Sequence, residues 1–381
     1  MSSDVIVIGA GIVGAACAYS LAAAGLSVVV VDRAAVAAGT TGAGEGNILV
    51  SDKEPGPELS LQLRSTGLWR RYAQELPPGS FELETKGGVT VASTAEQQEA
   101  LSELSRGQAG AGVEARPVSP DELLELEPHL VRDVAGGVFY PQDLQVQPMR
   151  AAAQLLAAAR QRGATLQLAT EVQGAITSGL RITGVVTTRG RLSAGWVVNA
   201  AGTWAQAVSD RLGAPVPIQP RRGLILVTEP LPPVIRHKVY TADYVANVAS
   251  SSASLQTSTV IEGTLSGPVL IGSSRERVGY DRTISVPVLR QMAREAVRLF
   301  PVLARVRAIR AYAGFRPYSP DHLPVIGADH RVEGLLHACG HEGAGIGLAP
   351  ATGELVCALI TGARPPVPAE PFAPARFAAG D

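Results

Sequence analysis

The chain has 381 residues, of which 33 are basic and 34 acidic, so its formal net charge at pH 7 is -1. Hydrophobic residues make up 46% and charged residues 18%, which excludes a disordered or coiled-coil chain and favours a well-packed α/β protein of two domains. The near-neutral charge gives no electrostatic reason to expect nucleic acid or an anionic membrane as a partner.

Cysteine usage and the amino-terminal pattern indicate a soluble protein of the reducing cytoplasm. The three cysteines are too few for a disulfide framework and lack metal-ligand spacing. The apolar amino terminus has no preceding basic region and is interrupted by three glycines, unlike a signal peptide. Since no stretch reaches the roughly 18 apolar residues of a membrane span, we expect no transmembrane segment.

The first forty residues predict a strand, a glycine turn, a helix and a second strand. Asp4–Ile8 and Leu26–Val31 are apolar runs typical of strands buried on both faces. The motif Gly9-Ala-Gly-Ile-Val-Gly14 follows the first run and opens an alanine-rich helix over Ala15–Ala24. This context favours a dinucleotide fingerprint over the alternative, a glycine turn without a ligand.

Each position of the fingerprint has a physical role. Gly9 allows the tight turn, Gly11 lets a pyrophosphate approach the backbone, and Gly14 lets the helix pack closely on the strand. The free N–H groups and positive dipole end of the helix favour the phosphates. Asp32 is placed to accept hydrogen bonds from the ribose hydroxyls, which disfavours NADP. The motif alone does not choose between NAD and FAD.

A second glycine-rich segment, Gly39–Asn47, follows the fingerprint and contains two threonines. Its open backbone N–H groups suit a second phosphate or the edge of an isoalloxazine ring. A flexible surface loop is the alternative interpretation.

Strands and helices alternate along the rest of the chain. Lys86–Ala92 is typical of a strand, and Pro215–Arg310 has a strand-rich pattern with frequent turns. Helices are predicted at Ala95–Gly107, Ser119–Leu126, Met149–Arg162 and Pro287–Leu299.

Two further segments point back to the parallel sheet. Gly195–Gly202 is a buried strand that breaks at a glycine, so Asn199–Trp204 is expected at a strand end where open α/β sheets bind ligands. Gly334–Gly340 is a strand followed by a glycine-rich turn and a helix over Ala344–Ile360. The carboxyl terminus is therefore expected to return to the dinucleotide domain.

The predicted fold is α/β with two interleaved domains. A Rossmann-like domain with a parallel sheet takes residues 1–85, 145–215 and 316–381. A second, mostly antiparallel α+β domain takes residues 86–144 and 216–315.

Five motifs together carry a family resemblance. They are Gly9–Gly14; Thr40-Thr41 with Gly46; Val198–Gly202; Gly314–Pro317 through Asp321 to Gly327; and Gly340–Gly347 followed by Ala349–Gly353. In this order the chain resembles the D-amino-acid oxidase (DAO) family of FAD-dependent amine oxidoreductases, nearest to glycine oxidase and D-amino-acid dehydrogenase types. It is also similar to the flavin subunits of opine, proline and hydroxyproline dehydrogenases and of hydrogen cyanide synthase.

The resemblance implies that the first domain is a glutathione-reductase-like FAD-binding domain and the second binds substrate. The FAD would be non-covalent, because Tyr312–Arg316 has no cysteine where the sarcosine-oxidase branch links its flavin. The turn from His341 would stabilise an anionic reduced flavin through backbone N–H groups and a helix dipole. The implied cofactor residues are Gly9, Gly11, Ile12, Val13, Gly14, Asp32, Arg33, Thr40, Thr41, Glu45, Gly46, Asn47, Val172, Ala200, Gly202, Trp204, His341, Glu342, Gly343, Ala344, Gly345, Ile346 and Gly347.

Arg316 matches the arginine that binds the substrate carboxylate in this family. Arginine suits that role because its planar guanidinium donates two parallel hydrogen bonds, and a surface arginine is the alternative. Tyr240 and Tyr244 both fall where the family places an active-site tyrosine, and an ordinary core aromatic is the alternative for each. His341 and Glu342 are expected to act mainly through their backbone.

A metal site is rejected at the sequence level. His337, Cys339 and His341 share one face of a strand, but the sequence offers no fourth ligand.

The resemblance implies hydride transfer from the amine-bearing carbon to flavin N5, followed by hydrolysis of the imine. Several alternatives stay open: a free-standing enzyme that uses oxygen or a quinone, a subunit that works with a partner redox chain, a structural FAD protein, or an NAD-dependent dehydrogenase. The Ser-rich segment 249–259 is a lid or an interface loop. Substrate identity and a homo- or hetero-oligomeric state also stay open.

Overall fold

The computed structural model describes residues 2–248 and 250–380. Nine α-helices lie in these residues: α1 (Ile12–Ala23), α2 (Pro57–Glu75), α3 (Ala95–Gly110), α4 (Pro120–Leu126), α5 (Pro148–Gln161), α6 (Ala205–Arg211), α7 (Ala242–Val248), α8 (Val286–Leu299) and α9 (Gly345–Thr361). The same residues form eighteen strands: β1 (Ser3–Ile8), β2 (Val28–Val31), β3 (Asn47–Ile48), β4 (Gly88–Ala92), β5 (Arg116–Val118), β6 (Gly136–Tyr140), β7 (Leu144–Gln145), β8 (Thr165–Gln167), β9 (Val172–Ser178), β10 (Arg181–Thr187), β11 (Gly190–Asn199), β12 (Gln219–Thr228), β13 (Lys238–Thr241), β14 (Gln256–Gly263), β15 (Val269–Arg275), β16 (Ala308–Tyr318), β17 (Val325–Ala328) and β18 (Leu335–Cys339).

The first sheet is mostly parallel and has β1 near its centre. Its order is β17-β18-β11-β1-β2-β8, and β9 and β10 extend from β11 as antiparallel strands. Val5 and Val7 pack against α1, α5 and α9, whereas Ile6 and Ile8 pack against the β9–β11 side. Both faces of β1 are therefore buried, which explains why the strand is apolar at consecutive positions.

The second sheet is antiparallel apart from one parallel pair, β4 with β13. Its order is β16-β12-β15-β14-β13-β4-β6-β5. Helix α8 packs Met292 and Ala296 against Leu224 and Leu226 of β12 on one face. The opposite face approaches the loops of the first sheet. The predicted fold class, an α/β chain with a parallel sheet and a second, mostly antiparallel domain, is confirmed.

Two predicted domain limits fall inside a strand, one of them in β7 between residues 144 and 145. Strand β16 crosses the expected limit between residues 315 and 316, because it pairs without a break along β12 as far as Tyr318. The limits themselves stay a prediction.

Several elements differ from the sequence expectation. Helix α2 is not among the predicted elements, since Gln62 and Ser65 interrupt the apolar pattern of its buried face. Helix α7 lies in a stretch predicted to be strand-rich. Helix α4, which was predicted, begins with a capping box between Ser119 and Glu122. Within the described residues, no helix has both the length and the apolar character needed to cross a bilayer.

Candidate functional site

A cavity lies between the two sheets, at the carboxyl ends of the parallel strands. The ends of β1, β2, β11 and β18 contribute Ile8, Val31, Ala200 and Cys339 to its lining. The second sheet contributes Gly223 and Ile225 of β12 and residues 314–317 of β16, and Tyr244 of α7 also lines the cavity. This is the position at which open α/β sheets bind ligands.

The fingerprint forms one wall of the cavity. Gly9 has φ +117°, which a side chain would strain, and a Cβ at Gly14 would collide with the Gly9 carbonyl. Helix α1 begins just beyond Gly11, and among the described side chains the only one bonded to this end is Thr41, whose Oγ1 accepts from the Ile12 N–H at 3.0 Å. The wall therefore offers backbone N–H groups to an anion.

Asp32, Arg33 and Trp204 form the next part of the lining. Asp32 accepts hydrogen bonds from the N–H groups of Ala10 and Ala34, both at 2.7 Å, so its carboxylate fixes the turn as well as facing the cavity. The Arg33 guanidinium lies 4.2 Å from the Trp204 ring centroid. Trp204 in turn stacks on Tyr280 at 5.9 Å between ring centroids. Tyr280 is not among the predicted site residues.

The loop from Thr40 to Asn47 connects the two sheets. Thr40 donates its hydroxyl proton to the Phe315 carbonyl at 2.6 Å, and the Gly46 N–H donates to the Glu262 carboxylate of β14. Glu45 is 7% exposed, and its Oε1 has no hydrogen-bond partner among the described residues. Burial raises the pKa of Glu45, while the nearby Lys238 opposes that rise.

The turn that follows β18 closes another side of the cavity. His341 is buried and its Nε2 lies 3.0 Å from Thr352 Oγ1. Glu342 has φ +44° and directs its carboxylate away to Arg221 at 2.6 Å. Gly343, Gly345 and Ile346 line the cavity at the start of α9. The side chains of His341 and Glu342 are thus engaged with other protein groups.

Arg316 extends along the cavity face of the second sheet. Its Nη1 donates to the Ser274 carbonyl at 2.9 Å, and its guanidinium lies over Gly223, where a Cβ would collide with it. No carboxylate of the described residues lies within ion-pairing distance of Arg316. Burial, followed by the neighbouring charge of Arg275, lowers the pKa of Arg316 to about 10. Its guanidinium remains charged at neutral pH.

The two candidate tyrosines occupy different places. Tyr244 lines the cavity, whereas Tyr240 is fully buried and donates to Asp143 Oδ2 at 2.5 Å, in contact with Ser51. Tyr240 lies on β13 and Tyr244 on α7, and their ring centroids are 5.7 Å apart.

Most of the predicted cofactor residues lie together on this cavity. Those in the lining are Gly9, Gly11, Ile12, Val13, Asp32, Arg33, Thr40, Thr41, Glu45, Asn47, Val172, Ala200, Gly202, Trp204, His341, Glu342, Gly343, Gly345 and Ile346. Four predicted cofactor residues are not part of the lining: Gly14, Gly46, Ala344 and Gly347. Gly223 and Ile225 also line the cavity but were not predicted from the sequence. The one sequence signal for them was Gly223, because a glycine inside a strand indicates that another group approaches the backbone closely.

The residues of the cavity fit FAD. The fingerprint wall suits a pyrophosphate, and Asp32 lies at the position for a ribose. Cys339 reaches the lining, but burial raises the pKa of its thiol to about 12, which leaves it unreactive. Among residues 2–248 and 250–380, no group of three or more His, Cys, Asp or Glu side chains is arranged to hold a metal ion.

Comparisons with known proteins agree with this fit. Residues 4–359 match the family model of DAO, which is described as "FAD dependent oxidoreductase". Hydrogen cyanide synthase subunit HcnC of Pseudomonas aeruginosa is 31% identical over 98% of this chain and 96% of its own length. Glycine oxidase of Geobacillus kaustophilus is 29% identical over 94% of this chain and 92% of its own.

Solved structures give the same result. L-proline dehydrogenase from P. horikoshii superimposes with a TM-score of 0.91 at 27% identity, covering 100% of this chain and 99% of that one. Glycine oxidase from Geobacillus kaustophilus gives 0.88 at 27% identity, with 98% of both chains covered.

Proposed function

The chain belongs to the DAO family of FAD-dependent oxidoreductases, and from this premise we propose that it oxidises the carbon–nitrogen bond of a small amino or imino acid. The names of its relatives support this substrate class, since they include glycine oxidase and L-proline dehydrogenase. The site residues named above are proposed to hold the FAD and this substrate.

The proposal rests on the position of Arg316 in the wall of the cavity. A guanidinium on a cavity wall, without a carboxylate partner in the described part of the chain, is suited to bind an external carboxylate by two parallel hydrogen bonds. Tyr244 lies on the same cavity and provides a phenol group beside the substrate. Such fixation over the cofactor is what this chemistry demands of the protein.

Bound FAD supplies the hydride acceptor, at flavin N5. The substrate carbon would lose a hydride and its nitrogen would lose a proton to solvent, and water would then hydrolyse the imine to a keto acid with release of ammonia or an amine. The side chains would hold the substrate over the flavin, and no strong side-chain base is required because the amine is neutral when it reacts.

A second candidate function keeps the same reaction but places the chain in a larger dehydrogenase. The relative HcnC is named as a subunit of hydrogen cyanide synthase. In this form the protein passes electrons to a partner redox chain, whereas a free-standing enzyme passes them to oxygen or a quinone.

The test is anaerobic bleaching of the flavin absorbance near 450 nm by glycine, sarcosine, D-amino acids, proline, hydroxyproline and opines. We expect one class to bleach the flavin, and we expect Arg316→Gln to lower kcat/KM by about 100-fold through the loss of a charged hydrogen-bonding partner. Arg294→Gln, on the exposed side of α8, is the matched control and should behave as wild type.

Re-admission of air then separates the electron acceptors. Reoxidation within seconds supports an oxidase, and a flavin that stays reduced supports a quinone or a partner subunit. A yellow protein that none of these compounds bleaches, with or without a partner chain, would contradict the proposed function.

A further inference from the structure

A second arginine lies beside Arg316 on the same sheet face. The antiparallel bridge between Arg222 and Glu276 places Arg275 across from Gly223, the residue over which the Arg316 guanidinium lies. The Ser274 carbonyl that accepts from Arg316 directly precedes Arg275 in the chain. Arg275 therefore lies on the same face of the sheet as Arg316 and packs against Tyr244, which lines the cavity together with Arg316.

Arg275 is buried without an anionic partner. It is 5% exposed, its Cζ lies 4.9 Å from the ring centroid of the cavity residue Tyr244, and its Nε has no hydrogen-bond partner in the described chain. None of the described carboxylates is within 4.0 Å of its nitrogens. A buried charge of this kind is costly unless an anion compensates it.

Two neighbouring arginines show what compensation looks like in this sheet. Arg221 is fully buried and pairs with Glu342 at 2.6 Å. Arg222 pairs with Glu276 at 2.7 Å and with Asp281 at 2.6 Å. Within the described residues, the protein thus supplies carboxylates to two buried arginines and leaves Arg275 and Arg316, on the cavity face of the sheet, without one.

Glu45 gives the cavity one buried carboxyl group. A Cβ on Gly272 of β15 would lie 2.6 Å from Glu45 Oε1, the oxygen that has no hydrogen-bond partner in the described residues. The strand that carries Arg275 therefore also adjoins Glu45. Two guanidinium groups and one carboxyl group complement a molecule with two carboxylates and one amine nitrogen.

We propose that the substrate is an amino- or imino-dicarboxylate, with Arg316 binding the carboxylate next to the oxidised carbon, Arg275 binding the second carboxylate, and Glu45 facing the nitrogen. This inference rests on the proposed function and narrows its substrate. The reaction is unchanged: the carbon loses a hydride, the nitrogen loses a proton, and the second carboxylate takes no part in bond changes. Arg275 is thus a specificity-determining residue.

Binding is tested first on the oxidised holoenzyme with ligands that cannot be oxidised at nitrogen. Diglycolate carries two carboxylates, and methoxyacetate is its matched analogue with one. We expect diglycolate to perturb the flavin spectrum at a Kd about tenfold or more below that of methoxyacetate. In Arg275→Gln this preference should disappear while methoxyacetate binding stays constant. Arg275→Lys, which keeps the charge, should retain part of it, and Arg294→Gln all of it.

Turnover is tested with iminodiacetate against sarcosine, which lacks the second carboxylate, and with D-aspartate against D-alanine. We expect kcat/KM to favour the dicarboxylate in at least one pair, and the ratio to fall about tenfold or more in Arg275→Gln. FAD content is measured for each variant, so that a folding defect is recognised.

Three results would overturn the inference: equal Kd values for the two ether ligands, an unchanged preference in Arg275→Gln, or a loss of FAD affinity as the only effect of the Arg275 substitutions. Failure of the proposed function looks different, because diglycolate would then bind tightly while no amine bleaches the flavin.

Discussion

The surroundings of His341 determine its protonation state and its tautomer. The Thr352 hydroxyl donates to the Leu348 carbonyl at 3.0 Å, so the 3.0 Å contact with His341 requires the imidazole to donate from Nε2. Burial lowers the pKa of His341 to about 3. The ring is therefore neutral near pH 7, with its proton on Nε2.

This neutrality predicts a pH dependence of stability. The pKa of histidine in an unfolded chain is near 6.5, and the folded value is lower, so the unfolded state takes up the proton first as the pH falls. The neutral His341 therefore contributes fully to the free energy of unfolding above pH 7. This contribution falls as the pH drops below 6.5, and about 2 kcal/mol of it is lost at pH 5. Urea unfolding of wild type and His341→Gln at pH 8 and pH 5 measures this as a change in their difference. A difference that does not vary with pH would contradict it.

Some residues of the site could be predicted from the sequence and others could not. Arg316 was predictable because its neighbours form a motif, Gly-Phe-Arg-Pro, whereas Arg275 sits in no motif and becomes notable only through its unpaired burial. The choice between Tyr240 and Tyr244 depends on a strand that ends between them, a boundary that local propensity does not locate.

Among the elements, helices α1 and α9 pack with their backbones in close contact. A Cβ at Gly353 of α9 would lie 2.5 Å from the Ala16 carbonyl of α1. The two helices bury Ala15, Cys17 and Leu355 in one core cluster. Their small residues allow the backbones to approach, and interior packing leaves no room for an added methyl group.

We therefore expect Gly353→Ala to lower the free energy of unfolding by about 1–3 kcal/mol, through forced separation of the helices. Gly67→Ala is the matched control, because Gly67 lies on the exposed side of α2 and a Cβ there meets no described atom within 4 Å. That substitution should raise stability by about 0.5–1 kcal/mol. Thermal or urea unfolding of both variants measures the effects, and equal signs would be inconsistent with this packing.

Elements with a single strong period were predictable, and elements with mixed faces were not. Strand β1, helix α4 and helix α8 follow the expected pattern closely. Helix α2 was not predicted because its buried side includes polar residues that form hydrogen bonds with α9. One of them is Ser65, whose hydroxyl donates to the Gly347 carbonyl at 2.5 Å. Such a contact exists only in the folded chain.

At the scale of the whole molecule, the cofactor is expected to hold the two sheets together. The Thr40–Phe315 and Gly46–Glu262 hydrogen bonds already join them through the glycine-rich loop. FAD bound across this loop, the fingerprint and β16 would add contacts to both sides.

Removal of FAD should therefore lower the Tm, and re-addition at about 100 times its Kd should restore about 2.7 kcal/mol of stability. FMN lacks the adenosine half that Asp32 and α1 are proposed to bind, so it should restore much less. Acid precipitation should release all the flavin into the supernatant, because the proposed attachment is non-covalent. Flavin retained in the pellet would contradict that attachment.

The pairing of α1 with α9 also orders events during synthesis. Ala16 and Gly353 are neighbours in space but lie at opposite ends of the chain, and β18 joins the central sheet only after residue 339 has been made. The amino-terminal fingerprint consequently leaves the ribosome long before its packing partner exists. Such long-range pairing slows folding and leaves apolar surface exposed in the meantime, so cofactor capture is expected as a late, post-translational step.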